Sequence, residues 1–179
     1  MRFKTPPPDL LADWAAAVVE SGDMSAAKAH AESVRQRVEQ LKDPFTPLAR
    51  GDPDARAKEH VLWEDTQAMV VVDLYAATPK ALAIPKESIT FPCDAGDALL
   101  THLSQVSAAT SDAFMEAAHW SVPARCWVNP PRGLMIRQLH VHILPRLSWD
   151  TLSEQRQAFY ERVSSTLEPI MRQLVHPSN

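Results

Sequence analysis

Glycine and cysteine are both scarce in this chain. Its 4 glycines, at positions 22, 51, 96 and 133, are too scattered to form GxGxxG or GxxxxGK[ST]. Those loops need clustered glycines so that the backbone can approach a phosphate, and the common dinucleotide and P-loop motifs are therefore excluded. The 2 cysteines, Cys93 and Cys126, form no CxxC pair. Without an export signal we expect both to be reduced thiols in the cytoplasm.

Long apolar segments are missing as well. The purely apolar runs span only a few residues, as in MVVV, far short of the ~20 residues of a transmembrane helix. The N-terminal MRFKTPPPDL has no apolar stretch behind its basic residues, so we do not expect it to be a secretory signal. The formal net charge of -4 argues against bulk attraction to nucleic acid or anionic membranes. We expect a cytoplasmic protein with neither of those partners.

The pattern of the chain changes near residue 59. Residues 1–58 contain two alanine-rich helical stretches, 9–21 and 25–42, and a proline-rich connector, which together predict a helical N-terminal extension. Residues 59–179 form the main domain. It has five β-like runs, a long amphipathic helix after the third run and a last helix that Pro169 should kink or end. The β-like runs are 61–64, 68–74, 80–86, 124–129 and 135–144. This order predicts an α+β domain with an antiparallel sheet.

Two histidines stand one residue apart in the last β-like run, QLHVHILPR. Because side chains alternate faces along a strand, Gln138, His140 and His142 share one face, with the imidazoles ~7 Å apart. A neutral imidazole is a competent nucleophile at neutral pH, and a strand holds it in a fixed geometry. The two histidines are therefore candidate catalytic residues, with the glutamine beside them.

The surroundings of the histidines are cationic. Residues 121–146 hold four arginines, Arg125, Arg132, Arg137 and Arg146, and no Asp or Glu. On an acidic chain such a segment suits an anionic substrate such as a phosphate ester. Strand alternation turns Arg137 away from the histidine face, so Arg132 in the preceding loop is the better candidate for a phosphate contact.

Two other interpretations of the histidine pair stay open. Both imidazoles could be structural residues of the core. They could also be metal ligands, because histidines at i and i+2 on a strand commonly bind zinc or iron. The sequence shows no patterned third ligand, so we expect neither a metal nor another cofactor.

The QLHVHILPR segment resembles the signature of the histidine-triad (HIT) superfamily, His-x-His-x-His followed by apolar residues and often Pro-Arg. The upstream EDTQAMVVVDLYAATPKALAIPKESI is similar to the early strands of that family, which end in Ile-Pro-Lys. The resemblance covers about residues 60–150. It implies a HIT-like antiparallel sheet with a long helix and a C-terminal helix, preceded here by the helical extension.

The resemblance implies a nucleotide hydrolase or nucleotidyl transferase. By motif position, His140 attacks the α-phosphate and forms a nucleotidyl-histidine, while His142 contacts the phosphate. Asn129 would help at the site, and Asp73 would bind the ribose hydroxyls. We therefore expect a pocket floored by the two histidines that takes up a small nucleotide. Family members often dimerise, so a homodimer is compatible with this interpretation.

The chain departs from the family pattern at three positions. Gln138 replaces the first histidine of the triad, and glutamine can orient a neighbour but cannot titrate. Met135 stands where a small residue usually contacts phosphate, and Ser88 stands where a histidine usually follows Ile-Pro-Lys. The Gln-x-His-x-His form resembles bacterial diadenosine-polyphosphate-hydrolase-like members and the CDP-diacylglycerol pyrophosphatases. These departures leave a second function open, a nucleotide-binding module that has lost turnover.

Overall fold

The computed structural model describes residues 24–129, 134–152 and 155–175. Two compact units divide this part of the chain between residues 43 and 44, and the smaller one also takes in residues 129–137. The predicted helix over 9–21 lies outside the described residues. The assignment of residues 1–58 to a separate extension stays a prediction. None of the described helices is both long enough and apolar enough to cross a bilayer.

The smaller unit contains helix α1, Met24–Glu39, which confirms most of the helix predicted over 25–42. After the helix, Lys42 forms a parallel bridge with Ile136. The main-chain nitrogen of Arg137 donates to the Lys42 carbonyl oxygen at 3.1 Å. The Arg137 guanidinium also pairs with the Asp43 carboxylate at 3.3 Å. The Arg137 side chain therefore forms an ion pair within its own unit.

The larger unit begins with two short helices, α2 (Phe45–Ala49) and α3 (Pro53–Arg56). Gly51 joins them with a φ of +84°, a left-handed conformation that glycine adopts without steric cost. Asp52 then caps α3, because its carboxylate accepts a hydrogen bond from the Ala55 main-chain nitrogen at 3.0 Å. The turn directs the chain toward the first strand.

Five antiparallel strands form one sheet in the order β1-β2-β3-β5-β4. They are β1 Val61–Glu64, β2 Ala68–Val72, β3 Ala81–Pro85, β4 Arg125–Trp127 and β5 Val141–Leu144. All five lie within the runs predicted from the sequence; β1 matches its run, and the other four strands are shorter than predicted, β5 most of all. The α+β class with an antiparallel sheet is therefore confirmed. The histidine strand β5 lies inside the sheet, between β3 and β4.

Helices α4 (Asp97–Ala117) and α5 (Arg156–Val175) cover one face of this sheet. The apolar face predicted for α4 is buried, and it consists of Leu99, Leu103, Val106, Thr110, Ala113 and Ala117. Of the two effects predicted for Pro169, a kink or an end, the end is wrong, because α5 continues past the proline to Val175. Leu167 and Met171 are buried on either side of that proline, and their packing carries the helix past it.

The opposite face of the sheet carries the histidines. Ile143 belongs to the core under α4 and α5, so strand alternation turns its neighbour His142 to the other side. There His142 pairs across the sheet with Leu82 on β3 and with Trp127 on β4. The histidine face is therefore the one turned away from the C-terminal helix.

Candidate active site

The His140 imidazole is held by the backbone just before β5. Its Nδ1 lies 2.8 Å from the main-chain oxygen of Gln138. A carbonyl oxygen only accepts, so Nδ1 carries the hydrogen and donates, which leaves the lone pair on Nε2. Among the described residues Nε2 has no hydrogen-bond partner. The backbone thus selects the tautomer that a nucleophile requires.

Burial keeps His140 in its neutral form. The side chain is 5% exposed, and the ring of Phe45 meets it edge to face with the centroids 5.3 Å apart. Burial lowers the pKa of the imidazole, more than its hydrogen bond to Gln138 raises it. A neutral ring with a free lone pair is the reactive form at neutral pH.

His142 lies beside His140 with the ring centroids 4.7 Å apart, and it stacks on Trp127 at 4.8 Å. The residue is 8% exposed. Burial first, then the charges of His140 and Lys80, lower its pKa from 6.5 to about 4. Both ring nitrogens are buried without a hydrogen-bond partner among the described residues. A structural core histidine would have its polar atoms satisfied, so this arrangement favours a polar ligand or water at the ring.

The sequence predicts that the two imidazoles floor a pocket. In the structure Phe45 and Trp127 pack against the rings and leave little of them exposed to solvent. The rings are not covered by the C-terminal helix, which lies on the other face of the sheet. The cover over the rings therefore lies on the histidine face itself, where α2 contributes Phe45.

The Gln138 side chain ties the end of β3 to the start of the histidine segment. Its amide nitrogen donates to the main-chain oxygens of Pro85 at 3.0 Å and Glu87 at 2.7 Å. Its amide oxygen accepts from the Thr46 hydroxyl at 3.2 Å. That hydroxyl also lies 3.4 Å from the Ser88 hydroxyl. Two positions that depart from the HIT pattern, Gln138 and Ser88, are thus linked through one threonine of α2.

Asp73 and Lys80 extend the same face beyond the ends of β2 and β3. The Asp73 main-chain nitrogen donates to the Lys80 oxygen at 3.0 Å, which continues the ladder that pairs Val72 with Ala81. The Lys80 Nζ atom lies 2.8 Å from the Asp73 carboxylate. It is also 5.9 Å from the centroid of the Trp127 ring. The structure therefore adds a cation to the histidine face that the sequence did not single out.

The remaining sequence candidates fall elsewhere. Asn129 belongs to the smaller unit, and Arg132 lies outside the described residues. Met135, also in the smaller unit, is 81% exposed. His140, His142, Gln138 and Asp73 all belong to the larger unit. The roles assigned to Asn129 and Arg132 stay predictions.

A cavity of about 250 Å³ adjoins Asp73 at the edge of the sheet. It reaches from the end of β2 to the first turn of α5 and is lined by His60, Leu74, Trp149 and Tyr160, among others. It mixes aromatic surface with the Asp73 carboxylate and the Arg156 guanidinium. Such a mixture is typical of small-molecule sites.

Metal ligands do not cluster in the described ranges. There, no three His, Cys, Asp or Glu side chains converge so that they could hold a metal ion. Within those ranges a metal at the histidine pair would have protein ligands from His140 and His142 alone. Structural and catalytic zinc sites use three or four protein ligands.

Comparisons with known proteins agree on the fold. No protein-family model matches the sequence, and no curated protein matches it significantly. Among solved structures, a hypothetical histidine triad nucleotide-binding protein from Sulfolobus tokodaii superposes with a TM-score of 0.58 at 22% identity, over 70% of this chain and 95% of that one. A zinc-bound histidine triad family protein from Mycobacterium smegmatis gives 0.55 at 20% identity, over 79% and 99% of the two chains.

A HIT family hydrolase from Legionella pneumophila gives a TM-score of 0.50 at 20% identity, over 62% of this chain and 100% of that one. The neighbours align along nearly their whole length, so the resemblance is to a complete domain. At these identities the comparison establishes architecture. The chain has the fold of the histidine triad proteins.

Proposed function

We propose that this protein is a nucleotide hydrolase or nucleotidyl transferase that acts at an α-phosphate through a nucleotidyl-histidine on His140. One observation carries the proposal. The hydrogen bond from His140 Nδ1 to the Gln138 carbonyl oxygen leaves the Nε2 lone pair available on a buried, neutral ring. The fold shared with a HIT family hydrolase supports the same chemistry.

The reaction has two displacements. In the first, Nε2 of His140 attacks the α-phosphorus, and a P–N bond forms as the bond to the leaving group breaks. In the second, water or another acceptor attacks the same phosphorus and releases the imidazole. The His142 ring centroid lies 4.7 Å from that of His140, and the N–H group of this neutral ring donates to a phosphoryl oxygen. That contact would satisfy a group which the described residues leave unpaired.

The nucleoside half of the substrate would extend toward Asp73. The carboxylate lies on the same sheet face as the histidines and lines the adjoining cavity. It would accept hydrogen bonds from the ribose hydroxyls, while the aromatic walls of the cavity pack against apolar parts of the substrate. Asn129 and Arg132 are further proposed contacts for the phosphate.

The second candidate is a nucleotide-binding module without turnover. The close packing of Phe45 on His140 favours it, because attack on phosphorus requires the ring to be reachable. A phosphate that only binds at the unpaired ring nitrogens of His142 requires less movement of side chains than attack by His140 does. Both functions predict nucleotide binding, and only the first predicts a covalent adduct.

A trapping experiment tests the two functions. The protein is mixed with a dinucleoside polyphosphate or a nucleoside phosphoramidate, quenched within milliseconds to minutes, and weighed intact by mass spectrometry. We expect a nucleotidyl adduct on wild type and none on His140→Ala. The matched control is His119→Asn at an exposed position with a φ of 51°, which asparagine tolerates. Binding without an adduct identifies the second function, and the absence of both contradicts the proposal.

A further inference from the structure

The Lys80 ammonium lies across the strand that carries the histidines. Lys80 precedes β3, and β5 separates β3 from Trp127 on β4. The Nζ atom nevertheless lies 5.9 Å from the Trp127 ring centroid, and the His142 ring stacks on that same indole. The charge is therefore close to the phosphate contact of the proposed mechanism, on the side away from His140.

Both ends of the Lys80 residue are fixed. The Tyr160 hydroxyl accepts a hydrogen bond from the Lys80 main-chain nitrogen at 3.1 Å, and the Lys80 oxygen receives one from the Asp73 nitrogen at 3.0 Å. At the other end, the Nζ atom is 2.8 Å from the Asp73 carboxylate, and both side chains are 17% exposed. An ammonium has three N–H donors, and the described residues offer this one a single anionic partner.

The neighbouring charges make this cation important. His140 and His142 are both buried with lowered pKa values, so neither ring brings a positive charge at neutral pH. A second cation among the described residues, Arg125, lies 5.7 Å from the Trp127 ring centroid, and it is exposed to solvent. A fixed, partly buried ammonium stabilises an anion much more strongly than an exposed guanidinium, because water screens it less.

We propose that Lys80 binds the departing phosphate and makes the site selective for phosphoanhydrides over phosphoramidates. This inference rests on the proposed function. When Nε2 of His140 displaces an anhydride, the electron pair of the breaking P–O bond moves to the bridging oxygen, which leaves as part of a phosphate. The ammonium, beside the indole on which His142 stacks, would stabilise that growing negative charge. A phosphoramidate instead loses an amine: the electron pair of the breaking P–N bond moves to nitrogen, which takes up a proton from water and leaves uncharged or cationic, so a fixed ammonium gives it no stabilisation.

The test compares two substrates that share adenosine and its α-phosphate, diadenosine triphosphate and adenosine 5′-phosphoramidate. Lys80→Met keeps the length of the side chain and removes its charge. We expect kcat/KM for the anhydride to fall by about 10²-fold, as for removal of one electrostatic stabiliser, and kcat/KM for the phosphoramidate to fall much less. Lys80→Arg keeps the charge and should restore most of the anhydride activity.

The loss of the Lys80 charge also affects the Asp73 carboxylate, and this effect needs its own control. Lys80→Met leaves it without its cation, so Asp73→Asn combined with Lys80→Met provides a second, charge-balanced variant. Both substrates carry the same ribose, and an effect at Asp73 therefore cancels from the ratio of their kcat/KM values. An unchanged ratio in both variants, with adducts still forming on His140, overturns the assignment to Lys80 alone. Failure of wild type to form an adduct with either substrate overturns the proposed function itself.

Discussion

The Thr46 hydroxyl donates a hydrogen bond to the Gln138 side-chain oxygen at 3.2 Å, which completes the set of partners of a residue that is 1% exposed. Gln138→Ala removes this bond and leaves the main-chain oxygens of Pro85 and Glu87 without their donor. We expect the free energy of unfolding to fall by about 3 kcal/mol. Urea denaturation measures the change. Gln36→Ala, on an exposed helix face, should stay within about 0.5 kcal/mol of wild type.

The nucleophile is tested by its removal. His140→Ala should lower kcat on the best substrate by about 10³-fold or more, because a covalent pathway is lost. His142→Asn keeps the nucleophile and should cost about 10²-fold, the typical effect of removing one donor to a developing oxyanion. Single-turnover kinetics separate the two. Near wild-type turnover in His140→Ala would refute covalent catalysis at this residue.

The buried His142 imidazole makes stability depend on pH. Its folded pKa of about 4 lies below the ordinary 6.5, so the unfolded chain binds the proton more readily. Protonation of the unfolded chain therefore lowers the free energy of unfolding as the pH drops from 6.5 toward 4. Above pH 6.5 this loss is absent, and below pH 4 this residue causes no further loss. We expect this residue to account for about 2 kcal/mol of lost stability between pH 6.5 and 5. His142→Asn should show a correspondingly shallower loss, and parallel pH profiles would contradict the assignment.

Phe45 should govern access to His140. Phe45→Ala removes the ring that packs on the imidazole, and Leu48→Ala removes a 1%-exposed side chain from the same helix. Both should destabilise the protein by about 3 kcal/mol. Only Phe45→Ala should speed acylation of His140 by diethyl pyrocarbonate, followed by peptide mass spectrometry. Equal rates in the two variants would show that Phe45 is not the cover.

Covalent and metal chemistry predict opposite responses to chelation. Because no three His, Cys, Asp or Glu side chains converge in the described ranges, turnover should survive exhaustive dialysis against EDTA. Metal analysis of the active protein should find less than one zinc or iron per chain. Loss of activity that a single added metal restores would favour the metal interpretation instead.

The strands of the sheet could be predicted from the sequence because each has a recognisable local pattern of apolar residues. Apolar β-branched runs such as the one ending at Val72 predict strands, and regular spacing predicts the long helix. The start of the histidine strand could not be predicted. The predicted run begins at residue 135, whereas the hydrogen-bonded strand begins at Val141. Residues 136 and 137 instead bond to Lys42, nearly a hundred positions away. Local patterns carry no information about such a partner.

The candidate site likewise contains residues that local patterns predict and residues that they do not. Strand alternation placed His140 and His142 on one face, and the motif placed Asp73 nearby. Lys80 was missed because its position depends on which strands are neighbours in the sheet, a long-range property that a single sequence does not state. The partners of Gln138 were hidden for the same reason, since they come from α2 and the end of β3.

The Tyr160 hydroxyl bonds to the main chain of Lys80, a residue 80 positions earlier in the chain. Synthesis runs from the N-terminus, so all five strands are made before this tyrosine. A chain cut short after β5 has every strand but lacks the residue that anchors the main chain of Lys80. The main-chain anchor of Lys80 therefore forms only when the last helix docks, so this part of the histidine face depends on the end of the chain.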